Sequence, residues 1–212
     1  MSDVRSLFAT PFIIESLRSA QGLQELRESI LARAKSDPTG LQVSNVGGWH
    51  STTDMIDWGG EAAGALAYKA MTLADEHTID VKGSDAKRFE WIPEMWANIS
   101  SAGDANQYHT HPGSFWSVVA YIDDGYQGSS DAGLGGQLQL LDPRMPMVRM
   151  TAPDLRFADS GKPQPNEIAI RPRTGMLVMF PSWLQHAVQP FRGSGQRISV
   201  AINLVPAMLP PA

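Results

Sequence analysis

Beyond Arg88 the chain consists of short segments rich in aromatic and β-branched residues, set apart by Gly, Pro, Asn and Asp. That texture belongs to an all-β sandwich or barrel. Strands are expected at Glu90 to Ile99, Ser114 to Ile122, Gly136 to Leu141, Glu167 to Ile170, Met176 to Phe180, His186 to Val188 and Arg197 to Val205. About seven or eight strands of this length build a jelly roll or cupin-like barrel, which can hold a ligand between its sheets.

Upstream the texture is helical. Leu23, Leu26, Ile30 and Leu31 recur at helical spacing within Leu17 to Ala34, until Asp37-Pro38-Thr39-Gly40 stops the pattern. A second helix is expected from Gly60 to His77, with Ala62, Leu66, Ala70 and Leu73 on one face. Between the helices lies a turn-rich loop, Ser44 to Ser51, and Asp123 to Gly136 has the composition of a mobile loop. A single domain over 1–212 is expected, with a helical part over 1–87 packed on a β-barrel core over 88–206.

The chain has no cysteine, which excludes disulfides, thiolate metal sites and cysteine nucleophiles, so any metal must take nitrogen and oxygen ligands. The 17 Lys and Arg are scattered and the net charge is −5, so neither nucleic acid nor an anionic membrane surface is an expected partner. A small-molecule or peptide substrate fits better. Neither a signal-peptide layout nor a membrane-length apolar run is present, and the cytoplasm is the expected compartment. The apolar stretch Leu204 to Leu209 could pack against a second copy, giving a homodimer.

Two of the five histidines, His109 and His111, stand one residue apart just ahead of an expected strand. In extended chain such a pair shares a face and can present two imidazoles to one ion. His186 follows a strand and the turn Pro181 to Gln185; Arg197 comes eleven residues later, with Ser199 on the same strand face. A guanidinium fork beside a hydroxyl suits bidentate binding of a carboxylate.

Over Trp91 to Pro206 the chain resembles the iron(II)- and 2-oxoglutarate-dependent oxygenases. In that superfamily a His-x-Asp or His-x-Glu and a distant His coordinate iron, and an Arg-x-Ser about ten residues further on binds the far carboxylate of 2-oxoglutarate. The resemblance implies His109 as the first ligand, His186 as the distal ligand and Arg197 with Ser199 as the carboxylate pair. A narrower resemblance is to a bacterial family of uncharacterised members. It is carried by Trp96-Ala97-Asn98, Asn106 to Ser114, Tyr121, Gly135 to Leu138, Asp142-Pro143-Arg144, Phe180 to Trp183, Arg197-Ile198-Ser199 and Asn203, and by Leu7 to Pro11 and Gly47 to Ser51. Both resemblances imply a double-stranded β-helix that uses iron(II), dioxygen and 2-oxoglutarate as cosubstrate, releases succinate, and oxidises an unactivated C–H bond.

The departure from the superfamily is His111, which fills the slot of the usual carboxylate. One arrangement places His109, His111 and His186 on the metal together. The other makes His111 the first ligand and leaves Gly113 in the carboxylate slot. Tyr121 could reach the cosubstrate through its hydroxyl. His50 and His77 are read as structural, Trp91, Trp96, Trp116 and Trp183 as packing residues, and Asp123-Asp124 as turn formers. The pocket lining is expected from the two helices and from the loops near Trp49 and Gly125 to Gly135. Two other functions use the same residues: a three-histidine cupin-type dioxygenase that needs no keto acid, and a non-catalytic metal-binding sensor.

Overall fold

A computed structural model describes residues 7–83, 87–144, 152, 154–159 and 161–210. Two antiparallel sheets face one another in a double-stranded β-helix. The larger contains β1 (Ile13–Ser16), β11 (Met176–Pro181), β6 (Trp116–Asp123), β13 (Arg197–Met208), β4 (Phe89–Ser100) and β3 (Trp49–His50), in that spatial order. The smaller runs β10 (Glu167–Ile170), β7 (Leu138–Leu141), β12 (His186–Val188), β5 (Ala105–His109) and β2 (Asn45–Val46). A short hairpin, β8 (Ala158–Asp159) and β9 (Lys162–Pro163), stands apart.

β13 is the axis of the larger sheet, paired with β4 along its whole length and with β6 along part of it. Its side chains alternate strictly. Ile198, Val200, Ile202 and Leu204 turn outward, each fully buried, whereas Arg197, Ser199, Ala201 and Asn203 turn toward the space between the sheets.

The outward face is covered by α1 (Ala20–Ser36) and α3 (Gly60–Glu76), with the single turn α2 (Met55–Trp58) between them. α1 starts at Ser19, whose hydroxyl accepts the Gly22 N–H at 3.0 Å. Ala63, Ala67, Ala70 and Ala74 are completely buried along α3, and their small side chains let the helix lie close to the sheet. Burying each large apolar residue of this layer contributes about 1.5–3 kcal/mol.

The helices therefore cover the outside of the larger sheet and line none of the cavity. Cavity lining from the helices was a wrong expectation, because the apolar stripe that identifies each helix is the stripe the sheet buries. The loop over Gly125 to Gly135 also stays off the cavity wall. It is tied down by Arg171, which sits over the Tyr126 ring and donates to the carbonyls of Ser129 and Asp131.

Candidate metal and cosubstrate site

The smaller sheet sets the histidines. His109 ends β5 and pairs in register with His186, the first residue of β12, so the two rings are cross-strand neighbours with centroids 4.3 Å apart. His111 lies two residues past the strand, in a turn held by its own N–H to the Ser182 carbonyl at 3.0 Å and by Ser114 N–H to its carbonyl at 3.3 Å. Its ring centroid is 5.0 Å from that of His109 and 5.1 Å from that of His186. One nitrogen from each of the three rings lies within 4.8 Å of the others.

Backbone carbonyls orient two of these rings. His109 Nδ1 donates to the Gln107 carbonyl at 2.7 Å and His186 Nδ1 donates to the Leu184 carbonyl at 2.8 Å. A carbonyl only accepts, so the protons are on Nδ1 and each Nε2 keeps its lone pair. His111 Nδ1 is 3.3 Å from the amide of Asn203, which can turn its oxygen to that nitrogen and leave His111 Nε2 free as well. His111 Nε2 and His186 Nε2 are 3.2 Å apart. Two nitrogens on neighbouring positions of one ion, each at about 2.1 Å, stand roughly 3 Å apart, so the pair fits a shared ion.

Burial is the main reason that all three rings resist protonation: it lowers His109, and together with the neighbouring His109 it draws His111 to about 4 and His186 to about 3. Neutral imidazole is the form that ligates. The donor set is all nitrogen and suits a first-row divalent ion.

The larger sheet supplies the opposite wall. Arg197 is 2% exposed, and its Nε has no hydrogen-bond partner among the described residues. No carboxylate pairs with it there either. Its guanidinium carbon lies 5.2 Å from the Tyr121 ring centroid. Tyr121 is fully buried, its hydroxyl has no hydrogen-bond partner among the described residues, and burial pushes that phenol up while Arg197 opposes the shift. Ser199 is buried and stands directly across from Tyr121 in the ladder.

A buried cation without an anion is strongly disfavoured, so this corner has the chemistry of a carboxylate receptor. Gly136 is part of its construction: φ is +72°, and a Cβ there would lie 3.0 Å from the Phe191 ring and 3.5 Å from Arg197 Cδ. The cavity holding both groups has a volume of about 410 Å³, with Leu138, Phe180 and Val188 among its apolar walls.

All six residues singled out from the sequence, His109, His111, His186, Arg197, Ser199 and Tyr121, meet at this one cavity. Three others were missed. His50, read as structural, is buried at the cavity and stacks on Trp96. Trp96, read as packing, lies 5.6 Å from the His111 ring. Asn203 touches His111 and could have been found from its shared strand parity with Arg197 and Ser199. Trp91 and Trp116 are core, Trp183 is exposed, and Asp123 and Asp124 accept the N–H groups of Gly125 and Tyr126 in a turn. His77 caps the end of α3, its N–H donating to the Leu73 carbonyl.

Residues 94–203 match the family described as "Putative 2OG-Fe(II) oxygenase", a stretch that runs from β4 to β13. The chain belongs to this family: it is an oxidoreductase that works with iron(II), 2-oxoglutarate and dioxygen. No curated protein matches its sequence. Among solved structures, it is similar to a prolyl hydroxylase from Trichoplax adhaerens in complex with a hypoxia inducible factor peptide fragment. The two are 16% identical over 92% of this chain and 83% of that one, with a TM-score of 0.61. A Pseudomonas putida prolyl-4-hydroxylase is 17% identical over 94% of both chains, with a TM-score of 0.57. HygX from Streptomyces hygroscopicus, solved with nickel and 2-oxoglutarate bound, is 12% identical over 92% of this chain and 83% of that one, with a TM-score of 0.57. At these identities the likeness is one of fold.

Proposed function

We propose that His109, His111 and His186 hold the iron, that Arg197 with Ser199 and Tyr121 takes the far carboxylate of 2-oxoglutarate, and that the enzyme hydroxylates a small molecule or a peptide side chain. The observation that carries this reading is the buried guanidinium of Arg197, which has no carboxylate partner among the described residues and shares a cavity with the three imidazoles. The grouping of three ring nitrogens supports the three-histidine arrangement over one with Gly113 in the carboxylate slot, which would leave His109 idle.

Each group in the chain has a defined task. The Arg197 fork binds two carboxylate oxygens side by side and so fixes the direction in which the keto acid extends. The hydroxyls of Ser199 and Tyr121 donate to the same carboxylate, satisfying the buried phenol. Leu138, Phe180 and Val188 keep water away from the cosubstrate. The carbonyls of Gln107 and Leu184 hold two imidazoles in the ligating tautomer, and Asn203 does the same for His111. When bound, the iron couples decarboxylation of 2-oxoglutarate by dioxygen to oxidation of a C–H bond.

Iron-loaded protein should develop a weak visible charge-transfer band when 2-oxoglutarate is added without oxygen, and should release succinate once air is admitted. Protein that neither binds 2-oxoglutarate nor decarboxylates it with any substrate pool would refute the proposal. Iron bound without the band, and with oxygen consumed on some other substrate, would point to the keto-acid-independent dioxygenase instead.

A further inference from the structure

The cavity has a second polar face that the iron and the cosubstrate leave unused. On β4 the parity that turns Trp96 inward also brings the half-buried Asn98 and the solvent-exposed Glu94 to the cavity wall, and His50 of β3 lies directly across from Asn98. His50 is 5% exposed and stacks on Trp96 with the centroids 5.6 Å apart and the planes 14° from parallel. Its Nδ1 donates to the Ser51 carbonyl at 2.6 Å, and burial holds its pKa below the ordinary value, so Nε2 is a fixed acceptor. His50 Nε2, the Asn98 amide and the Glu94 carboxylate have no partner among the described residues.

Charge narrows what this face can bind. Among the described residues of the wall, Glu94 is the only carboxylate, and Arg197 is the only Arg or Lys. With Arg197 engaged by 2-oxoglutarate, a substrate meets the His50 Nε2 acceptor, the Asn98 amide that both donates and accepts, and one negative charge, and no cation from the described residues of the wall. An anionic substrate would be repelled there, and an apolar one would bury His50 Nε2 unpaired. The rim is apolar, formed in part by the exposed side chains of Leu41, Val43 and Tyr108.

We propose that the substrate is cationic, an ammonium or guanidinium on an aliphatic stem, with its charge beside Glu94, an N–H donated to His50 Nε2 and its stem against the apolar rim. This rests on the function proposed above. The reaction balances as hydroxylation of the stem: one atom of dioxygen enters a C–H bond of the substrate, and the other enters succinate as 2-oxoglutarate loses carbon dioxide. A free amine and a basic side chain of a peptide share this chemistry.

The test uses iron-loaded protein with 2-oxoglutarate under anaerobic conditions, titrated calorimetrically with Nα-acetyl methylamides of lysine, arginine, norleucine and glutamate, and with n-pentylamine. The lysine or the arginine probe should bind at least about threefold more tightly than norleucine or glutamate, because a pair with the exposed Glu94 carboxylate is partly screened by solvent. Glu94→Gln should erase that preference without weakening 2-oxoglutarate binding. His50→Phe, which keeps a ring on Trp96, should weaken the preferred probe by about threefold or more. Binding of n-pentylamine as tight as that of the capped probe would mark a free amine as the source, and binding of the capped probe alone would mark a peptide. Norleucine or glutamate binding as tightly, a preference that survives Glu94→Gln, or no probe binding to protein that takes 2-oxoglutarate would each overturn the cationic substrate alone. Failure to bind 2-oxoglutarate would overturn the underlying function, and this inference with it.

Discussion

Replacing Arg197 by Met keeps most of the stem volume and removes the guanidinium. In the wild-type enzyme that group is buried and has no anionic partner among the described residues, with Nε unpaired beside the unpaired Tyr121 hydroxyl. Removing one member of a buried charge pair in a complex weakens binding by about 2–5 kcal/mol, so Arg197→Met should weaken 2-oxoglutarate by roughly 1.5 to 3.5 orders of magnitude. Arg197→Lys keeps the charge and loses the fork, and should fall between the two. The sign of the stability change discriminates further. Without cosubstrate the variant should melt no lower than wild type, because it no longer buries an uncompensated charge. With 2-oxoglutarate at about 100 times its Kd, wild type should gain about 2.7 kcal/mol, or about 5–10 °C in Tm for a chain of this size, and the variant should gain almost nothing. Calorimetric titration and thermal melts with and without 2-oxoglutarate measure both quantities. An unchanged affinity, or a cosubstrate-free variant destabilised by several kcal/mol, would show that Arg197 holds the fold and does not receive the carboxylate.

Three further outcomes are expected. His186→Ala should abolish stoichiometric iron binding measured by metal analysis, whereas His111→Asp, which restores a carboxylate in the usual slot, should retain it. Asn203→Leu should lower iron affinity by about 10- to 100-fold through loss of the His111 contact, readable by competition with a chelator, while the far-ultraviolet circular dichroism stays unchanged. Metal-free protein should be most stable above about pH 6.5, where an unfolded histidine is already neutral, and should lose stability as the pH falls toward about 4 and about 3, because the unfolded chain then binds more protons than buried His111 and His186. Urea melts across that range would detect it, and a flat profile would argue against neutral buried rings.

The barrel was legible because alternation survives in its long strands. Arg197 to Val205 and Ser114 to Ile122 carry apolar residues on the face that meets the helices, and observed β13 and β6 contain them almost entirely. β5 was not legible: Ala105 to His109 contains no β-branched residue, and its extension is imposed by its partners β12 and β2. That matters for the site, because His109 was expected ahead of a strand and instead ends one. β1 was missed for a similar reason. Four residues are too short for a periodic signal, and their register comes from β11. Five of the six candidate residues could be found because histidine spacing and an Arg-x-Ser pair are local patterns, and Tyr121 was found from its place on an expected strand past His111. His50 and Trp96 meet through pairing of β3 with β4, across more than forty residues of chain, and no local pattern announces that contact.

The substitution that set this chain apart also bears on the cavity as a whole. With three neutral histidines on the iron, as proposed, the protein adds no negative charge at the metal, and the cavity's own cation, Arg197, adds to the positive field. A 2-oxoglutarate dianion spanning the two offsets about two of these three positive charges, so its retention should be more sensitive to salt and to competing anions than in a site with a metal-bound carboxylate. The remaining positive charge would repel a cationic substrate unless a protein carboxylate stood nearby. Among the described residues Glu94 is the one such group on the wall, across the ladder from Asn203, the residue that touches His111. The loss of a carboxylate at the metal and the presence of one on β4 thus belong to one electrostatic arrangement. Moving the charge, by combining His111→Asp with Glu94→Gln, should preserve iron binding while shifting the preference away from cationic probes.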